Sequence, residues 1–248
     1  MFNFGSGVLL GARTDIANAT PTNFGLVQDV SIDPSFDIKE LYGQNQFPVA
    51  IGRGKGKFTC KAKMARISGI TFANLFFGTP VTTGQLLTSF GEGPTPIPTT
   101  PFHITVTNSA TFVDDYGVVN AATGLPFTKV ASGPTAGQYS VAAGVYTFAS
   151  ADNVSGISVL INYTYTVTTA GTQKIVQTNQ LLGNTPTFSA QLYSTFQGIP
   201  FNLKLNQCVA SKLGFATKLD DFTIPELDFS VFADSANNIA TWSFGEAS

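Results

Sequence analysis

The strand Gly56 to Met64 is the most constraining stretch of this chain. Phe58, Cys60, Ala62 and Met64 alternate without a break with Lys57, Thr59, Lys61 and Lys63. Side chains of an extended strand point to opposite faces at every step, so this pattern specifies a β-strand with an apolar face and a basic face. No helix could segregate the same residues. Period-two stretches recur at 26–32, 36–41, 102–106, 139–141, 144–148, 156–167, 187–193 and 201–205, with Gly, Pro, Asn and Asp between them. A mainly β protein with antiparallel sheets follows. A closing hairpin is expected, running from Phe222 to Phe232 and returning through Asn237 and Asn238 to Ile239–Phe244.

One short helix interrupts the strands. Ser68 has the character of an N-cap, and the apolar run Ile70, Phe72, Ala73, Leu75, Phe76 and Phe77 ends at Gly78 and Pro80. The proline-rich stretch Gly93 to Pro101 reads as an extended, unpaired linker that opens a second region. Three parts follow: 1–98 as the first half of a core, 99–170 as an inserted β-rich region, and 171–248 as the second half.

Charged residues make up 11% of the chain, against roughly 25% in ordinary soluble domains. Thr, Ser, Asn, Gln and Gly stand in their place, beside 22 Phe. Such a surface is suited to being covered by copies of itself, or it belongs to a monomer with a polar, uncharged exterior. The net charge of −2 provides no general attraction to nucleic acid or to an anionic membrane. The amino-terminal residues lack the basic and apolar regions of a secretory signal, and no apolar run is long enough to span a bilayer. Synthesis in a cytoplasm without membrane insertion is the expectation.

Residues for catalysis are scarce. The single histidine, His103, has no nucleophile motif beside it, and one His with two scattered Cys does not supply a zinc set. Cys60 and Cys208 read as packed, reduced thiols. Asp114-Asp115 and Asp220-Asp221 read as solvated turn acids, with Ca²⁺ binding or glycoside hydrolysis as the competing chemistry. Gly52 to Lys57 lacks the Ser or Thr of a phosphate-binding loop. Non-enzymatic function, without cofactor or metal, is the expectation.

Arg53, Lys55, Lys57, Lys61, Lys63 and Arg66 form a basic patch with no acid among them. Aromatic stacking partners for a nucleic acid are missing from the exposed parity of this strand. A plain solvated face is one account. The other is a head-to-tail interface between subunits, in which the patch meets the acids of a neighbouring copy. Candidate acids are Asp220, Asp221, Glu226 and Asp228, and also Asp29, Asp33, Asp37 and Glu40.

The stretch Leu41 to Ala65 with its following helix, the strands from Thr187, and the closing run Asp221 to Asp234 with Ile239-Ala-Thr together resemble the tail tube (major tail) proteins of long-tailed bacteriophages. The resemblance implies a β-sandwich or barrel-like core with one flanking helix, six copies to a ring, and rings stacked into a hollow tube of the virion. It further implies tape-measure, initiator and terminator proteins as partners, and transient passage of DNA without specific binding. The lysine face of residues 57–63 would then be paired at an interface and not free in the bore. The alternative from another class is a β-sandwich binding module, a virion decoration or carbohydrate-binding protein. There 99–170 would act as recognition domain, with Tyr146, Tyr163 and Tyr165 as a sugar platform or, as alternating aromatics more often are, as core.

Overall fold

A computed structural model describes residues 5–66 and 68–245. The amino-terminal stretch read for a secretory signal begins outside these residues. The chain divides into two compact units: one from the segments up to Val81 and from Ile175 onward, the other Thr82–Lys174. The inserted unit therefore starts well before residue 99, where the proline-rich stretch had placed it.

The first segment holds β1 (Val8–Arg13), β2 (Thr22–Asn23), β3 (Val27–Tyr42) and β4 (Pro48–Met64). It ends in α1, an α-helical turn over Gly69–Thr71 that continues as a π-helical turn over Phe72–Phe77. The inserted unit holds β5 (Thr82–Thr83), β6 (Gln85–Pro96), β7 (His103–Thr105), β8 (Phe112–Asn120), β9 (Thr128–Lys129), β10 (Gln138–Ala142), β11 (Val145–Phe148), the short helix α2 (Ser150–Val154), β12 (Ser158–Val167) and β13 (Gln173–Lys174). The last segment adds β14 (Thr187–Phe196), β15 (Ile199–Gly214), β16 (Glu226–Phe232) and β17 (Ala240–Phe244). The protein is mainly β, and its strand pairs are antiparallel except β9 with β10.

In the first unit the strand order is β2-β1-β14-β15-β16-β4-β3, with β17 also on β15. Leu9, Cys60, Ala62, Met64, Phe188, Ala190, Leu203, Leu205, Leu227 and Phe229 come from five of these strands and form one buried cluster. α1 closes over it through Leu75, with Phe72 and Phe76 packed alongside. The helix starts and stops where its sequence says. Ser68 Oγ accepts from the Thr71 amide, and Gly78 ends it at φ 65°, a left-handed conformation that glycine adopts without steric cost.

The expected closing hairpin does not form. β16 and β17 do not pair with each other; both pair with β15, along different halves of that long strand. The Asp234 carboxylate accepts from the amides of Ala236 and Asn238 and from the Asn206 side chain, so it turns the chain onto β15.

The inserted unit is a small two-sheet structure, β7-β11-β10-β9 and β6-β12-β8, around its own apolar cluster. Two expectations are corrected here. Gly93 to Pro96 is no unpaired linker but the end of β6, where Thr95 and Pro96 stand opposite Val159 and Ser158. Proline is tolerated because β6 is an edge strand, where a missing N–H is not needed by a neighbour. Asp114 and Asp115 are not in a turn but within β8. The side chain of Asp115 is only 3% exposed and accepts from Tyr139 Oη at 2.8 Å, Tyr146 Oη at 2.9 Å and the Gly117 amide at 3.0 Å. Lys129 Nζ lies 3.0 Å away. Burial opposes its ionisation, but these donors outweigh burial and hold the carboxyl below the usual aspartate range. Tyr146 and Tyr163 are fully buried and Tyr165 packs against the same cluster, so these rings are core and not a platform.

Candidate assembly surface

β3 and β4 run side by side far past the core. From Phe36 to Ile51 both strands are exposed on both faces. The hairpin register sorts this arm into two different surfaces. Phe36, Ile38, Glu40 and Tyr42 of β3 share a face with Val49, Ile51 and Arg53 of β4. The other face carries Ser35, Asp37, Lys39, Leu41, Ala50 and Gly52. On β3 this face continues the side of Val30 and Ile32, which stand opposite Ala62 and Cys60, and β4 changes parity at the bulge between Gly56 and Arg53, so the arm extends the core side of the sheet into solvent. Phe36, Ile38, Tyr42, Val49 and Ile51 are each more than half exposed there.

The arm has its own internal order. The Arg53 guanidinium lies 4.8 Å from the centre of the Phe36 ring, and the Tyr42 hydroxyl donates to Glu40. Gly56 stands opposite Phe36, and a Cβ at Gly56 would come within 3.0 Å of the Phe36 ring. The glycine leaves room for the ring to lie across the strand.

The basic patch is divided by this geometry. Lys61 Nζ lies 3.5 Å from Glu226 and 3.9 Å from Asp228, and Lys63 Nζ lies 3.4 Å from Asp29. The expectation places the acids for Lys61 and Lys63 on a neighbouring copy; within the chain they already have Glu226, Asp228 and Asp29 beside them. β4 lies between β3 and β16, and the register sets Asp29 opposite Lys63 and Asp228 opposite Lys61. Such half-exposed pairs contribute about 0–1 kcal/mol each, so they offset part of the charge of this face without holding the fold. Arg53, Lys55, Lys57 and Arg66 have no carboxylate within 4.0 Å among the described residues. Asp220 and Asp221 lie on the exposed loop before β16, with Asp221 3.4 Å from Lys218.

The scarce catalytic residue types are dispersed. His103 is exposed on β7, and no group of three or more His, Cys, Asp or Glu among the described residues is placed to hold a metal ion. Cys60 and Cys208 are free and buried; burial, with Asp33 nearby, pushes the Cys60 thiol up to about 12, and burial pushes Cys208 up as well. No helix among the described residues is long and apolar enough to cross a membrane.

What sequence reasoning missed is the apolar arm face. Its alternation was visible, but the same alternation describes a strand covered by its own chain. Comparison with models of known protein families and with curated proteins returns no match.

Proposed function

We propose that this chain is a self-assembling structural protein of the tail tube type, whose copies join into hexameric rings that stack as a hollow conduit for phage DNA. The observation that carries the proposal is the β3–β4 arm. Its apolar face of Phe36, Ile38, Tyr42, Val49 and Ile51 is left more than half exposed by the described residues. Five large apolar side chains gathered on one face of a two-stranded projection, with Glu40 and Arg53 between them, are the kind of exposed patch that marks an interaction surface.

Magnitudes indicate what else is needed. Completing the burial of five half-exposed side chains gives on the order of 1 kcal/mol each. Association costs about 4–15 kcal/mol in lost freedom, so one arm alone is marginal. The sheet offers the remainder through its edges. β3 is terminal in the sheet along its whole length, and the opposite edge is formed by the short β2 beside β1. Pairing such edges head to tail satisfies open backbone groups, and closing the ring removes the edges altogether. In-chain pairing of Lys61 and Lys63 lowers the number of free ammonium groups that would retain phosphate if this face lined a conduit.

The test is the double variant Ile38→Asp with Ile51→Asp in the full chain. Both positions are exposed, so the unfolding free energy of the monomer should change by no more than about 0.5 kcal/mol per substitution. Sedimentation velocity of the wild type is expected to show large assemblies that the variant lacks. Equal sedimentation of the two proteins contradicts the role given to the arm.

A further inference from the structure

The sheet β6-β12-β8 of the inserted unit carries a paired irregularity at its centre. On β12, Ile161 stands opposite Glu92 of β6 and Val118 of β8, while Tyr163 stands opposite Ser89 and Asp115. Asn162 therefore faces two residues on each side, Phe90-Gly91 on one strand and Tyr116-Gly117 on the other. Both neighbours bulge at the same level, and one side chain ties them. The Gly91 amide donates to Asn162 Oδ1 at 2.8 Å, and Asn162 Nδ2 donates to the Gly117 carbonyl at 3.3 Å. Gly91 and Gly117 sit at φ 69° and 100°, a region that side-chain-bearing residues rarely adopt.

A bulge breaks the ladder, and its usual gain is to re-aim a side chain. Each of these presents an aromatic: Phe90 is 89% exposed and Tyr116 65% exposed. Val159, Ile161 and Tyr163 fill the core side of β12, so Asn162 and the two aromatics belong to the opposite face. Two strand spacings separate β6 from β8, about 10 Å. The charge on these strands narrows the ligand. β6, β8 and β12 contain no Lys or Arg. Of their acids, Glu92 and Asp115 are turned inward onto tyrosine hydroxyls, which leaves Asp114 as the one outward charge. Phosphate-bearing ligands and anionic lipid surfaces need basic groups that are missing here.

We infer that this face binds a neutral carbohydrate, with two rings of one extended oligosaccharide stacked on Phe90 and Tyr116. Aromatic faces take the apolar C–H faces of sugar rings, and a few polar groups fix orientation. Thr88 and Asp114 flank the pair and accept or donate to sugar hydroxyls. The inference does not rest on the assembly proposal, because every residue in it lies in the inserted unit.

The test uses the full chain on an array of neutral glycans that includes malto-, cello- and chitohexaose, followed by calorimetric titration of the best binder. Poly(dT) and phosphatidylglycerol vesicles serve as controls. Saturable glycan binding with a Kd tighter than about 1 mM is expected. Phe90→Ala and Tyr116→Ala should each weaken it about tenfold without lowering the melting temperature, while Phe90→Trp retains it. Asn162→Ala keeps both rings but frees the bulges, and should also weaken binding. The inference is overturned if no neutral glycan saturates, if the double alanine variant binds as tightly as the wild type, or if poly(dT) or the vesicles bind in preference through the same two residues.

Discussion

At the scale of single residues, Asp115 shows how far local sequence misleads about an acid. Two adjacent aspartates between apolar stretches look like a solvated turn, because the only local partner is the Gly117 amide two residues on. Their partners are distant: Tyr139, Tyr146 and Lys129 meet Asp115 only after β8 and β12 have paired and the second sheet has closed over them. The same applies to Phe90 and Tyr116, whose exposure depends on bulges that exist only in the paired sheet. A signal was present in the dipeptides Phe90-Gly91 and Tyr116-Gly117, since an isolated glycine within a strand pattern marks a bulge. Asp115 carries a prediction. Its folded-state pKa is depressed, so its contribution to stability is present above the unfolded carboxyl value near ~3.9 and is lost as pH falls through the folded value. Asp115→Asn should lower stability at pH 7 by about 2 kcal/mol, the scale of hydrogen bonds to a charged group. It should also flatten the decline below about pH 4. Urea melts of both proteins at pH 7 and pH 3 measure this, and parallel pH slopes for the two would contradict the assignment.

At the scale of elements, strands with clean alternation were legible, and their partners were not. β4, β12, β14 and α1 stand where the pattern put them, because burial on one face and capping at a helix end are local properties. β6 escaped notice because its prolines suggested a linker, although an edge strand accepts them. β16 and β17 looked like a hairpin because they are neighbours in sequence, yet the Asp234 turn delivers β17 to β15. The inserted unit raises a prediction of its own. It has a separate apolar cluster, and its two ends pair with each other where β5 meets β13. A fragment spanning residues 82–174 should therefore unfold in a single cooperative transition, with near-ultraviolet circular dichroism from the packed Tyr139, Tyr146 and Tyr163. A fragment lacking that signal at room temperature would show that the unit borrows its stability from the rest of the chain.

At the scale of the whole molecule, three features converge on assembly. The chain is poor in charge, its arm carries an apolar face into solvent, and its sheet ends in open edges. Composition made the first legible, but the other two needed the pairing order. The basic patch, the most conspicuous sequence feature of the candidate interface, is partly neutralised within the chain, so shape and apolar burial replace charge as the proposed source of association. The inserted unit carries the surface inferred to bind carbohydrate, so the two proposals together would describe a structural subunit with a recognition module. Negative-stain electron microscopy of the purified protein over a concentration series, with mass from light scattering, tests the central claim most directly. The account predicts rings or hollow tubes whose mass rises with concentration, whereas a monomer that persists throughout the series would contradict it.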